Sequence, residues 1–150
     1  DMLRRGATTA WEAWDGRNSL LHSSYLHIGA WFMEGLAGIQ PDPSGPGYKR
    51  FIIKPGVLRD KPLDWVKAQF ESPYGTIESE WRIRSGVLEL RISVPPNTTA
   101  TLYVPTKDPK SIKEANVPLA KVRGVRFLRD EKGRSVLEIQ PGHYSFEAAL

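Results

Sequence analysis

Two runs of strict alternation, Ile77-Glu78-Ser79-Glu80-Trp81-Arg82-Ile83-Arg84 and Leu88-Glu89-Leu90-Arg91-Ile92-Ser93-Val94, meet across Ser85-Gly86. A period of two places Ile77, Ser79, Trp81 and Ile83 on one side of an extended chain and Glu78, Glu80, Arg82 and Arg84 on the other. The second run does the same with Leu88, Leu90, Ile92 and Val94 inside, and Ser85-Gly86 reads as a two-residue hairpin turn between them. A hairpin with one apolar face needs a second layer to bury that face, and this requirement governs the rest of the chain.

The same pattern recurs around it. Pro95-Pro96-Asn97-Thr98 turns the chain into Ala100, Leu102 and Val104, and further strands are expected over residues 125–129, 135–140 and 143–148, linked tightly at 130–133 and at Pro141-Gly142. With residues 49–55 and 64–72 added, roughly eight strands of alternating pattern predict a mainly β protein, an antiparallel β-sandwich. Residues 106–120, rich in Lys, Pro and Asp, read as an excursion with at most a short strand. In the strand from 64, Val66, Ala68 and Phe70 point to the core, which leaves Trp65 on the polar face with Lys67, Gln69 and Glu71. An indole facing outward is either a carbohydrate-binding platform or a contact with a neighbouring domain.

The N-terminal third follows another rule. Between Arg17 and Glu34 no Asp, Glu, Lys or Arg occurs, and the stretch is expected to form a helix from a cap at Asn18 or Ser19 to about Ala37. Gly38 sits where a left-handed cap is wanted, Pro41 follows, and residues 40–47 read as a linker. The uncharged span is about sixteen residues, short of the ~20 that cross a bilayer, and it carries His, Ser and Asn, so no membrane partner is expected. Apolar side chains fall on several faces: Leu21, Tyr25, Ile28 and Phe32; Leu20 and Trp31; Leu26, Met33 and Leu36. Such a helix expects cover nearly all round, and where that cover is missing self-association through the exposed helix is expected.

Composition narrows the function classes. With 40% hydrophobic and 25% charged residues in 150, the chain is an ordinary globular sequence rather than a disordered one. Its net charge of +4, from 21 basic and 17 acidic residues, is spread without a block, which argues against a nucleic-acid partner. There is no Cys, hence no disulfide, thiol nucleophile or thiolate metal site. His22, His27 and His143 make no metal-ligand spacing, so the sequence offers no support for metal catalysis.

The chemistry-bearing stretch is Gly6-Ala7-Thr8-Thr9-Ala10-Trp11-Glu12-Ala13-Trp14-Asp15-Gly16. A carboxylate between two indoles can be wrapped in apolar surface, which raises its pKa and suits it to general acid or base work, and Trp faces stack on the C–H faces of sugars. The alternative is that Trp11 and Trp14, three apart, are one face of an ordinary helix start, with Glu12 solvated in its first turn. Asp15 fits a turn at Gly16.

These residues, with Ser19-Leu20-x-His22, the run from Gly29 to Pro41, Gly47-Tyr48-Lys49-Arg50, Ile52-Ile53-Lys54-Pro55, Ser72-Pro73-Tyr74-Gly75-x-Ile77-x-Ser79-x-Trp81 and Val94-Pro95-Pro96-Asn97-Thr98-Thr99-Ala100, carry a resemblance. The chain resembles the C-terminal part of bacterial α-L-rhamnosidases, the inverting enzymes of glycoside hydrolase family 78, over most of positions 6 to 105. The resemblance implies a C-terminal fragment of such an enzyme, with residues 1–46 the end of a catalytic (α/α)6 barrel and residues 47–150 a C-terminal β-sandwich domain. It implies that Glu12 is the general base that activates a water, that His22 hydrogen-bonds rhamnose hydroxyls, and that Trp11 and Trp14 shape the sugar pocket. The general acid would lie elsewhere in the barrel, which with a rhamnose-containing carbohydrate is the implied partner; no cofactor is required. His22 also reads as a structural histidine near a helix start. Taken alone, residues 48–150 read as a carbohydrate-binding module or a purely structural domain, since no strand carries a paired-carboxylate or His constellation.

Overall fold

Wherever the sequence alternates with period two, the chain is extended. The computed structural model describes residues 2–23, 27–57 and 63–150, in two units, Asp1–Phe32 and Met33–Leu150. The second unit holds the strands: β1 (Ile39–Pro41), β2 (Arg50–Ile53), β3 (Trp65–Ser72), β4 (Gly75–Arg84), β5 (Val87–Val94) and β6 (Thr99–Val104). After these come β7 (Lys113–Glu114), β8 (Val117–Pro118), β9 (Val125–Glu131), β10 (Arg134–Ile139) and β11 (Gly142–Ala149).

They form a five-stranded sheet in the order β1-β2-β6-β10-β9 and a six-stranded sheet in the order β3-β4-β5-β11-β7-β8. The chain passes back and forth between the two, so their inner faces interdigitate into one core that includes Phe51, Ile77, Trp81, Leu90, Leu102, Leu137 and Phe146. The turns are those the residues favour: Ser85 and Gly86 have φ of 48° and 77°, Lys132 and Gly133 have 49° and 75°, the positive values a two-residue hairpin needs. Trp65 is half exposed on β3, with the Arg82 guanidinium 5.9 Å from its ring centroid, while Val66, Ala68 and Phe70 pack on the core.

The mainly β, largely antiparallel sandwich is the fold expected from the sequence, and three details of it differ. The expected eight strands are eleven among the described residues, because 39–41, 113–114 and 117–118 also pair. β2 and β6 run parallel, with Arg50 opposite Thr99 and Ile53 opposite Leu102, so the sandwich is not wholly antiparallel. The stretch 40–47 is not simply a linker: Ile39, Gln40 and Pro41 pair with Ile53, Ile52 and Phe51. Pro41 is tolerated there because β1 is an edge strand.

The helix expected from 19 to 37 is much shorter. Residues 19–22 are not helical; α1 is His27–Ala30, and the chain continues as a π-helical turn over Trp31–Ala37. Tyr25 and Leu26 lie outside the described residues. The π-helical end is held by the sandwich: the Trp81 indole N–H donates to the Leu36 carbonyl at 2.8 Å, the Ser79 hydroxyl donates to the Ala37 carbonyl at 2.7 Å, and the Gly56 amide donates to Leu36 at 3.1 Å. These partners satisfy carbonyls that a helix C-terminus otherwise leaves open. Gly38 is the cap the sequence asked for, with φ of 81° and no room for a side chain, since a Cβ would lie 2.2 Å from the Lys54 carbonyl carbon.

Candidate functional site

The expected site residues all lie in the first unit, and a loop rather than a helix brings them together. Gly16 has φ of 71°, and a Cβ there would sit 3.1 Å from the Trp11 ring, so only glycine lets the chain turn this closely over the indole. Asp15 braces the turn by accepting from the Arg17 amide at 3.1 Å and from the Arg17 guanidinium. The turn returns the chain along itself. The Glu12 amide donates to the Ser19 carbonyl at 2.9 Å and the His22 amide to the Ala10 carbonyl at 2.7 Å, while the Thr9 hydroxyl bonds the Leu20 carbonyl.

That return explains the correction to the helix. Asp15-Gly16-Arg17-Asn18 is turn chemistry, and once the turn closes into a loop Ser19 is committed to Glu12 instead of capping a helix. The Ser19 amide also donates to Glu12 Oε2, at 3.3 Å. Ser19 thus has another role than the cap expected of it, and Thr9 is the residue that sequence reading left without a role. The Thr8-Thr9 pair before Trp11 was the available signal, since hydroxyls favour local side-chain-to-backbone bonds.

Glu12, Trp11 and Trp14 line one cleft of about 180 Å³ together with Met2. His22 Nδ1 stands 3.7 Å from Glu12 Oε2, beyond hydrogen-bond length but within ion-pair reach of a protonated imidazole. The four expected residues are therefore neighbours. Trp11 is half-buried against Gly16, with the Arg5 guanidinium 5.6 Å from its ring centroid, whereas Trp14 is 70% exposed. The Glu12 side chain is 39% exposed, so the indoles edge the carboxylate without enclosing it. The arrangement offers a carboxylate that can take a proton from a water, an imidazole beside it that can donate to a hydroxyl, and two aromatic faces for an apolar ring surface. Among the described residues no group of three His, Asp or Glu side chains stands close enough to hold a metal, and no helix is long and apolar enough to cross a membrane.

Comparison with known proteins covers nearly all of the chain. Residues 38–117 match the family model described as bacterial alpha-L-rhamnosidase C-terminal domain. An alpha-L-rhamnosidase of Formosa agariphila is 35% identical over 157 aligned residues, covering 97% of this chain and 16% of that protein. One from Streptomyces avermitilis is 31% identical, covering 96% of this chain and 14% of its own length. The crystal structure of the Streptomyces avermitilis alpha-L-rhamnosidase complexed with L-rhamnose superposes with a TM-score of 0.74 at 30% identity, over 97% of this chain and 14% of that one. The alpha-L-rhamnosidase structure from Dictyoglumus thermophilum gives 0.73 at 26% identity, over 99% of this chain and 17% of that one. The chain thus spans 14% to 16% of the length of these two curated relatives.

Proposed function

The chain belongs to the bacterial α-L-rhamnosidase C-terminal domain family, and from that membership we propose that it is the C-terminal part of a glycoside hydrolase that removes terminal α-L-rhamnosyl residues with inversion. The observation that carries the reading is the cleft in which Glu12 stands between Trp11 and Trp14, with His22 beside its carboxylate. In this reading Glu12 is the general base. It takes a proton from a water that attacks the anomeric carbon from the face opposite the leaving group, while a carboxylic acid elsewhere in the polypeptide protonates the departing oxygen. An inverting pair stands about 6.5 to 9.5 Å apart to leave room for that water.

The remaining roles are part of the same proposal. The amide of Ser19, donating to Glu12 Oε2, fixes the carboxylate's orientation. His22 would bond rhamnose hydroxyls, and Trp11 and Trp14 would bound the sugar's apolar edges, among them its methyl group. The reaction needs no cofactor. Residues 1–46 are read as the closing part of the catalytic (α/α)6 barrel, with β1 at their end already paired into the sandwich, and residues 47–150 as the appended sandwich, whose service is structural. Exposed Trp65 supports contact between that sandwich and a neighbouring domain.

By itself the 150-residue chain is inactive in this account, because absence of a general acid costs about 10² to 10⁴ in rate before any loss of the pocket is counted. The test follows hydrolysis of 4-nitrophenyl α-L-rhamnoside by proton NMR. The complete polypeptide should release β-L-rhamnose first and the isolated chain should release none. First appearance of the α-anomer would refute inversion; turnover by the isolated chain, abolished by Glu12→Ala, would place the acid within it.

A further inference from the structure

The two sheets do not close over each other along one side. β9 is the outer strand of the five-stranded sheet and β8 the outer strand of the six-stranded one, and between them, floored by the 3₁₀ turns Pro109–Ser111 and Leu119–Lys121, lies a cleft of about 490 Å³. That volume is within the roughly 300–1,000 Å³ of small-molecule sites. The cleft lies apart from the Glu12 loop in the sequence, and part of its wall falls beyond the stretch 38–117 that matches the family model.

Its wall has an unusual origin. Phe127 stands opposite Leu137 in the β9–β10 ladder, and Val125 opposite Ile139, so both point to the inner side of the sandwich, where Leu137 and Ile139 are fully buried. Phe127 is nevertheless 42% exposed, because the space that a second sheet would fill is the cleft. Immediately after it the ladder slips: Arg129 pairs with Val136 and Phe127 with Leu137, leaving Leu128 as the extra residue of a bulge. Bulges recur where a strand re-aims a side chain beside a site. Pro109 and Pro118 stiffen the rest of the lining, which lowers the entropy lost on binding.

The lining holds two basic residues, Lys110 and Arg126, and no carboxylate; Arg126 sits between the inward-facing Val125 and Phe127, so its guanidinium turns to the outer face of the sheet. Arg126 shares Glu138 with Arg50, at 3.0 Å and 3.8 Å, while the Lys110 ammonium has no ion-pair partner among the described residues. We propose that this mouth between the sheet edges is a binding site for a small flat aromatic acid, whose ring lies on Phe127 between the two prolines and whose anionic group meets Lys110. A sugar would want several hydrogen-bonding groups across the floor, and the floor here is Leu119 and its apolar neighbours.

The test uses 2-naphthoate as the probe, with 2-naphthalenemethanol as the uncharged control, titrated into the ¹⁵N-labelled 150-residue chain. The proposal expects saturable amide shifts confined to residues 110–111, 119–120 and 125–128. Lys110→Gln should weaken naphthoate about fivefold, the scale of one exposed ion pair, and leave the alcohol unchanged. Phe127→Ala should weaken both, and the unshifted signals of the Trp81 indole will report that the fold is kept. Shifts centred elsewhere, none up to 10 mM, or equal affinity for acid and alcohol would overturn it. So would naphthoate binding that Lys110→Gln leaves intact.

Discussion

Replacing Trp81 by Phe isolates how strongly the sandwich holds the end of the π-helical turn at Leu36 and Ala37. The indole is fully buried and its N–H donates to the Leu36 carbonyl at 2.8 Å. That carbonyl keeps a second donor, the Gly56 amide at 3.1 Å, so the substitution removes a bond without stranding its acceptor, a loss of about 1 kcal/mol. The smaller ring gives up ~40 Å³ of filled core, which at about 24 cal/mol per Å³ adds roughly 1 kcal/mol. The apolar area no longer buried adds a further ~0.5–1 kcal/mol. Trp81→Phe should therefore lower stability by about 2–3 kcal/mol, and at the ~2–4 °C per kcal/mol of a domain this size the melting point by about 5–10 °C. Differential scanning calorimetry with urea unfolding measures it. Hydrogen exchange should quicken at residues 33–38 beyond the global change, because the indole's hydrogen bond acts on that turn alone. A melting point within 2 °C of the parent, or exchange quickening uniformly across the sheets, would refute the idea that the indole ties this turn to the core.

Gly38→Ala should be more damaging than any surface change, at least about 2 kcal/mol by urea unfolding, because φ of 81° and a Cβ 2.2 Å from the Lys54 carbonyl carbon force backbone movement; a change under 0.5 kcal/mol would refute the tight approach. The isolated chain should self-associate at micromolar concentration through the segment carrying Ile28, Trp31 and Phe32, each at least half exposed, since an uncovered patch of a few hundred Å² at roughly 25 cal/mol per Å² favours whatever buries it. Sedimentation of the chain against a Trp31→Lys, Phe32→Lys variant decides this; a monomeric parent, or equal association in both, contradicts it.

Hairpins were legible because their determinants are local. Alternation in 77–94 and a glycine at 86 specify β4, its turn and β5 with no knowledge of the rest, and the same holds for Lys132-Gly133 between β9 and β10. What escaped depends on distant partners. The parallel pairing of Arg50 with Thr99 joins residues almost fifty positions apart, and β1 is a strand only because β2 offers it an edge. The small β7–β8 hairpin hides behind Ala115 and Asn116 at φ of 44° and 66°; asparagine signals such a turn, alanine does not.

The candidate residues Trp11, Glu12, Trp14 and His22 stand together, but the shape that joins them was not legible: apolar periodicity argued for a helix from 19 onward, and hydrogen bonds across the loop overrode it, with Ser19 bonding Glu12 and Leu20 bonding Thr9. Periodicity records which side chains want burial. It does not record that a turn at Gly16 can pair two short segments before a helix begins.

The most direct test of the account is Glu12→Gln in the complete polypeptide, assayed for kcat and KM on 4-nitrophenyl α-L-rhamnoside. Glutamine keeps the length of the side chain and can still accept from the Ser19 amide, but it cannot take a proton from water. The account predicts a kcat reduced by about 10² to 10⁴ with KM little changed, the signature of a group used in the transition state. A kcat within a few-fold of the parent would contradict it.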